Sequence, residues 1–185
     1  NETMTDGKVQ LVAKADATEA DFANAIEVEA ATEKTKALPY AVDDSGILWK
    51  AKMSKDQAHT YISHKAIATG LTPNTTYTYR VGVDGYWSET GTFITAPADP
   101  DSKEFSFIYM SDSHIMTQEY IDDANSAARA ALKTAPHAKF CAFPGDFVEN
   151  YCSSEWEWER VFEEALRPMA YKMPIVPTDG NHDVT

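Results

Sequence analysis

No apolar run in this sequence approaches the roughly 18 to 20 residues that a bilayer-spanning helix needs, so a transmembrane helix is excluded. The N-terminus also lacks the basic, then apolar, then small-residue pattern of a signal peptide. The expectation is a soluble chain whose export signal has been removed or was never present. Basic residues are scarce: 16 lysines and arginines face 29 aspartates and glutamates, for a formal net charge of -13. A surface of that sign excludes a protein that works by neutralising nucleic-acid phosphates or adhering to anionic membranes. Cysteine is scarcer still. Cys141 and Cys152 are too few for a disulfide framework; one pair is open to them, but Cys141 sits in an apolar run where a buried free thiol is expected.

What is present is enough for a core. At 185 residues and 43% hydrophobic content the chain can form one large domain or two small ones. The acidity is uneven: residues 1–97 carry 13 acidic and 9 basic side chains (net -4), residues 98–185 carry 16 and 7 (net -9). An anionic substrate would meet repulsion in the second half unless bound cations lay between.

The two halves have different hydrophobic patterns. Residues 1–97 read as an all-β domain, since "VQLVAKA", "GILWKAKM", "TYISHKAIATGL", "TTYTYRVGV" and "WSETGTFITA" are short β-rich runs separated by turn residues. In "YTYRVGV", Tyr77, Tyr79, Val81 and Val83 share one face and Thr78, Arg80 and Gly82 the other, the period of a half-buried strand. "DFANAIEVEAA" reads equally as strand or short helix. Residues 98–104 have linker composition. From 105 onward the order is strand, helix, strand, helix, strand, which predicts a parallel sheet covered by helices. The strands are "FSFIYM" (105–110), "KFCAF" (139–143) and "PIVP" (174–177). The first helix is predicted from Gln118 to Thr134, with Ile121, Ala124, Ala128, Ala131 and Leu132 on one face. The second opens at the capping-box spacing Ser154-x-x-Glu157 and repeats Trp158, Val161, Phe162, Ala165, Leu166 and Met169 at helical spacing, with Glu155, Glu159, Glu163 and Glu164 as a solvated face.

Each predicted strand of the second half runs straight into a polar cluster: "SDSH" (111–114), "PGDFVEN" (144–150) and "TDGNHD" (178–183). In an open parallel sheet ligands bind beyond the carboxyl ends of the strands, so the three clusters are expected to converge on one crevice. Carboxylates and imidazoles suit iron, manganese and zinc, and a carboxylate can span two metals. His59 and His64 read as surface strand residues ahead of ligands, and His137 as a loop residue after Pro136.

These blocks resemble the calcineurin-like metallophosphoesterases, whose signatures are Asp-x-His, Gly-Asp-x-x and Gly-Asn-His-Asp/Glu. "LTPNTTY" resembles the tyrosine corner of fibronectin type III sandwiches. The pairing of the two is similar to purple acid phosphatases and their bacterial relatives. The resemblance implies a fibronectin III-like sandwich followed by the first βαβαβ part of an α/β metallophosphoesterase sandwich. It implies metal binding by Asp112 and His114, a bridging Asp146, and Asn181 on a second metal, with His182 beside the substrate phosphate as proton donor or charge stabiliser, oriented by Asp183. The implied cofactors are two divalent or trivalent ions of iron, manganese or zinc. The implied activity is hydrolysis of phosphate esters by a metal-bridging hydroxide, in a secreted or cell-surface protein.

Two departures follow from that resemblance. Purple acid phosphatases carry an iron-ligating tyrosine as the fifth residue of the Gly-Asp block, where Glu149 stands here, so a non-purple relative is implied. Glu149 itself reads as a solvated or outer-sphere carboxylate ahead of a ligand. The family also continues with further histidine-bearing blocks on a second sheet. The chain is therefore expected to be the N-terminal part of an enzyme, inactive by itself, with an exposed apolar sheet face that invites self-association. A competing expectation is an extracellular adhesion or binding module with a vestigial sheet; five chemically matched residues at strand ends speak against it.

Overall fold

The computed structural model describes residues 4–37, 59–99, 104–149 and 155–183. The predicted strand "GILWKAKM", most of the linker, the Ser154 cap, Tyr151 and Cys152 lie outside the described residues. Two compact units divide the chain, with Glu104 in the first and Phe105 in the second.

The first unit is built on a five-stranded antiparallel sheet. Strands β1 (Lys8–Val12), β2 (Ile26–Glu29), β5 (Thr76–Val83), β6 (Tyr86–Trp87) and β7 (Gly91–Ile94) form it in the order β2-β1-β5-β6, with β7 also on β5. Strands β3 (Ala31–Ala37) and β4 (His59–Lys65) pair as a separate two-stranded sheet. The register of β1 on β5 sets Val9 opposite Val81 and Leu11 opposite Tyr79. The Tyr77 ring is buried and stacked on Phe93, and its hydroxyl accepts a hydrogen bond from the Thr72 amide at 2.9 Å, tying the turn before β5 to the strand itself.

The alternation in β5 departs from the sequence expectation. Thr78 and Arg80, on the face predicted to be polar and open, are buried, while Val81 is exposed. The reason is the ambiguous segment, which forms a 3-10 helix over Glu19–Asn24 before β2. That segment and the chain leading into it satisfy the polar face. Thr78 Oγ1 donates to the Lys14 carbonyl at 2.6 Å, and the Arg80 guanidinium lies between the Phe22 and Trp87 rings while bonding Gln10 and Glu19. The helix entry is fixed by Asp21, whose carboxylate accepts from the Thr18 amide and hydroxyl. Hydrogen bonding from Lys14, then from Thr18, holds the Asp21 carboxyl well below the usual carboxylate range.

In the second unit three parallel strands, β8 (Ile108–Tyr109), β9 (Cys141–Phe143) and β10 (Ile175–Pro177), form a sheet in the order β10-β9-β8. Helix α1 spans Gln118–Thr134 and buries Ile121, Ala124 and Ala128. Helix α2 (Glu155–Arg160) passes into a π turn over Val161–Ala165 and then into α3 (Arg167–Ala170), which has Pro168 in its first turn. The predicted second helix is thus interrupted. Val161, Ala165, Leu166 and Met169 are fully buried as expected, but the wider π turn leaves Phe162 on the outside of the stripe at 40% exposure.

Ile108, Cys141 and Phe143 face the helices, and with Ile115, Phe147 and Val148 they form the core of this unit. On the opposite sheet face, among the described residues, Phe105, Phe107, Tyr109 and Val176 are exposed, and Phe107 stacks on Phe140 at 5.2 Å. The strand itself covers Ile108–Tyr109 of the predicted 105–110, with backbone bonds from Lys139 to the Ser106 carbonyl and from Met110 to the Ala142 carbonyl on either side. Among the described residues no helix is long and apolar enough to cross a membrane.

Candidate metal centre

The three polar clusters sit at the carboxyl ends of β8, β9 and β10, and backbone hydrogen bonds lace them together. Past β8 the chain runs beside the loop that follows β9: the amides of Asp112, His114 and Ile115 donate to the carbonyls of Gly145, Asp146 and Phe147 at 3.2, 3.0 and 3.0 Å. Ser113 Oγ adds a bond to the Phe147 carbonyl. The third cluster is brought against the second by glycine. Gly145 has φ +102°, and a Cβ there would overlap the Gly180 backbone; a Cβ on Gly180 would overlap the Asp146 carboxylate. Only two glycines allow this approach.

Among the described residues of this unit, three non-glycine residues take left-handed backbone conformations: Asp112 (φ 59°), His114 (φ 41°) and Asp146 (φ 53°). Each costs on the order of 1 kcal/mol and persists only where the surroundings over-determine it, a pattern that concentrates at ligand-binding sites. The strain here falls on three of the residues expected to hold a metal.

His114 Nε2 lies 3.7 Å from Asp112 Oδ1 and 3.9 Å from Asp146 Oδ2. Donor atoms of Asp112, His114 and Asp146 all lie within 4.8 Å of one another. Asp146 is the hub, since its Oδ1 also accepts the His182 amide at 2.8 Å while Oδ2 faces His114. The ring of His182 meets that of His114 edge-on with centroids 4.7 Å apart, and His182 Nδ1 is 2.9 Å from the Glu149 carbonyl. That bond raises the His182 pKa above its ordinary value, with the negative charges of Glu149, Asp146 and Asp183 acting in the same direction.

Asn181 is exposed, between Gly180 and His182. Asp183 is 4% exposed, and its carboxylate accepts three backbone amides: Phe147 at 2.9 Å, Val148 at 3.3 Å and Gly180 at 2.9 Å. It therefore fastens the third loop to the second through the backbone. The sequence reading took Glu149 as a solvated or outer-sphere carboxylate ahead of a ligand. Its carboxylate is 2.7 Å from His114 Nδ1, and His114, Glu149 and His182 form a second cluster of close donor atoms. The available signal was its place three residues after Asp146 in the Gly-Asp block.

A family profile described as the purple acid phosphatase N-terminal domain matches residues 1–95. No curated protein sequence matches the chain. Among solved structures, a purple acid phosphatase isolated from yellow lupin (Lupinus luteus) seeds is similar in fold, with a TM-score of 0.63 at 16% identity over 96% of this chain. The present chain spans 30% of the length of the lupin chain.

Proposed function

The chain belongs to the purple acid phosphatase N-terminal domain family, and from that premise we propose that its second unit is the opening, βαβαβ part of a metal-dependent phosphoesterase domain acting on phosphate esters. The observation that carries the reading is the convergence of Asp112, His114 and Asp146, from two separate strand ends, within 4.8 Å. Two carboxylates and an imidazole are a donor set suited to iron, manganese or zinc. Asp112 and His114 would hold one ion, Asp146 would serve two, and the Asn181 side-chain oxygen would reach the second. Bound ions would supply Lewis acidity toward phosphoryl oxygens and make water more acidic.

The protein's own groups have separable parts in that chemistry. His182 carries its proton on Nδ1, because the Glu149 carbonyl can only accept, and its raised pKa favours the form in which Nε2–H also donates. That suits it to bond a phosphate oxygen or protonate a leaving alkoxide. Asp183 holds the loop bearing His182 in place. With net charge -9 over residues 98–185, phosphate is attracted only when cations occupy the site.

Four named donors do not complete two metal shells, so by itself the chain binds metal incompletely and turns over little substrate. Secretion fits the same reading. So does self-association through the open sheet face, since parallel sheets are ordinarily covered on both sides. The decisive experiment assays p-nitrophenyl phosphate and a bis-ester with added manganese, zinc or iron, in this chain and in a version carried on through the catalytic fold of the relatives, with Asp146→Asn as control. Absence of metal-dependent turnover in the longer protein would sink the enzymatic reading.

A further inference from the structure

Glu149 offers two acceptors to two histidines. Its carboxylate Oε2 lies 2.7 Å from His114 Nδ1, and its main-chain oxygen lies 2.9 Å from His182 Nδ1. A carbonyl oxygen only accepts, and so does an ionised carboxylate. Both Nδ1 atoms must then be donors, and in the neutral rings neither Nε2 carries a proton.

The geometry points to Glu149 as a positioning residue that sets the tautomer and ring orientation of both site histidines at once, and not as a metal ligand. The cluster of His114, Glu149 and His182 has the spacing of a metal site. Its two ring nitrogens nearest Glu149 are already committed, and a nitrogen that donates a proton cannot also ligate. The unoccupied chemistry lies on the other side of the His114 ring. There Nε2 stands 3.7 Å and 3.9 Å from the carboxylates of Asp112 and Asp146, too far for hydrogen bonds. Histidine ligands commonly use one nitrogen for the metal and fix the other on a carboxylate or carbonyl. Glu149 supplies both kinds of partner from one residue. The edge-on contact of the two rings, 4.7 Å between centroids, makes each orientation depend on the other. The inference rests on the proposed phosphoesterase reading for its purpose, but its geometry is that of the chain alone.

The test is two-bond proton–nitrogen correlation spectroscopy of the metal-free chain, labelled with 15N-histidine, read at a pH where both rings show the nitrogen shifts of neutral imidazole. Resonances are assigned with His114→Gln and His182→Gln. Both histidines are expected in the Nδ1–H form. In Glu149→Ala, His114 should shift to the Nε2–H form that free imidazole favours, while His182 keeps Nδ1–H through the backbone carbonyl. Glu149→Gln retains an acceptor oxygen and should restore the wild-type pattern at His114. A wild-type His114 with the proton on Nε2, or a His114 tautomer unchanged in Glu149→Ala, would overturn the proposal. Co2+ titration followed by visible absorption separates this result from the functional reading: Glu149→Ala should weaken Co2+ binding by ~10–100-fold. Unchanged Co2+ affinity in that variant would overturn the positioning role alone. Two Nδ1–H histidines, with no Co2+ uptake even in the version carried on through the catalytic fold of the relatives, would refute the metal reading and support the Glu149 arrangement.

Discussion

Replacing Asp183 by alanine isolates the fastening of one loop to another. Its carboxylate is almost fully buried and accepts the amides of Phe147, Val148 and Gly180. Phe147 and Val148 are themselves buried, so water cannot readily replace the lost acceptor at either amide. Gly180 is half-buried and can be hydrated. Each stranded buried donor costs about 1–3 kcal/mol, or about 2–6 kcal/mol for the pair. Alanine also removes the cost of burying a carboxylate, which brings the expected loss to ~2–4 kcal/mol. That is a large share of the roughly 5–15 kcal/mol that holds a domain together. Urea unfolding of the second unit can be followed by the fluorescence of Trp158, whose ring is 5.9 Å from that of Phe147. Amide exchange localises the effect: a loss of ~2 kcal/mol corresponds to roughly thirtyfold faster exchange at Phe147 and Val148. Asp183→Asn keeps one acceptor oxygen and should fall between. A loss below ~1 kcal/mol in Asp183→Ala, with unchanged exchange at both amides, would refute the reasoning.

Tyr77→Phe removes the acceptor of the Thr72 amide and should cost the first unit ~1–2 kcal/mol in urea unfolding; an unchanged midpoint would show that water takes over the bond. Gly145→Ala forces a methyl into the Gly180 backbone at φ +102° and should lower stability by about 2–4 kcal/mol, read as a drop in thermal midpoint. A variant as stable as wild type would mean that the loops can part freely. Burial pushes the Cys141 thiol up to about 11. A disulfide reagent at pH about 8 should therefore modify it far more slowly in the folded chain than in urea, and equal rates would contradict its burial. Because the folded-state pKa of Asp21 is depressed, its contribution is present above the unfolded value of about 3.9 and is lost as pH falls through the folded one. The urea midpoint of Asp21→Asn should accordingly lie below wild type at pH about 7, with the gap narrowing in acid; a constant gap would rule out the linkage.

The sequence by itself determined helix α1, the tyrosine corner and the residue types that stand at the strand ends. The 3.6-residue spacing of Ile121, Ala124 and Ala128 is a local property, and helix α1 has the bounds it implies. Tyr77 in "LTPNTTY" is similarly local, because its hydroxyl closes on a backbone amide only five residues away. Asp112, His114, Asp146 and His182 could be nominated because each follows a buried strand. Tertiary structure decided what those patterns could not encode. Thr78 and Arg80 are buried because residues 14–24 fold across them, an event remote from β5 in the chain. Asp183 serves the backbone of Phe147 and Val148, and Glu149 serves His114 and His182, through bonds spanning 33 to 36 positions. A residue's type fixes which bonds it can make, but which partner stands 3 Å away is set by the loops meeting at Gly145 and Gly180. That meeting depends on glycine contact between two strand ends, which no local periodicity records.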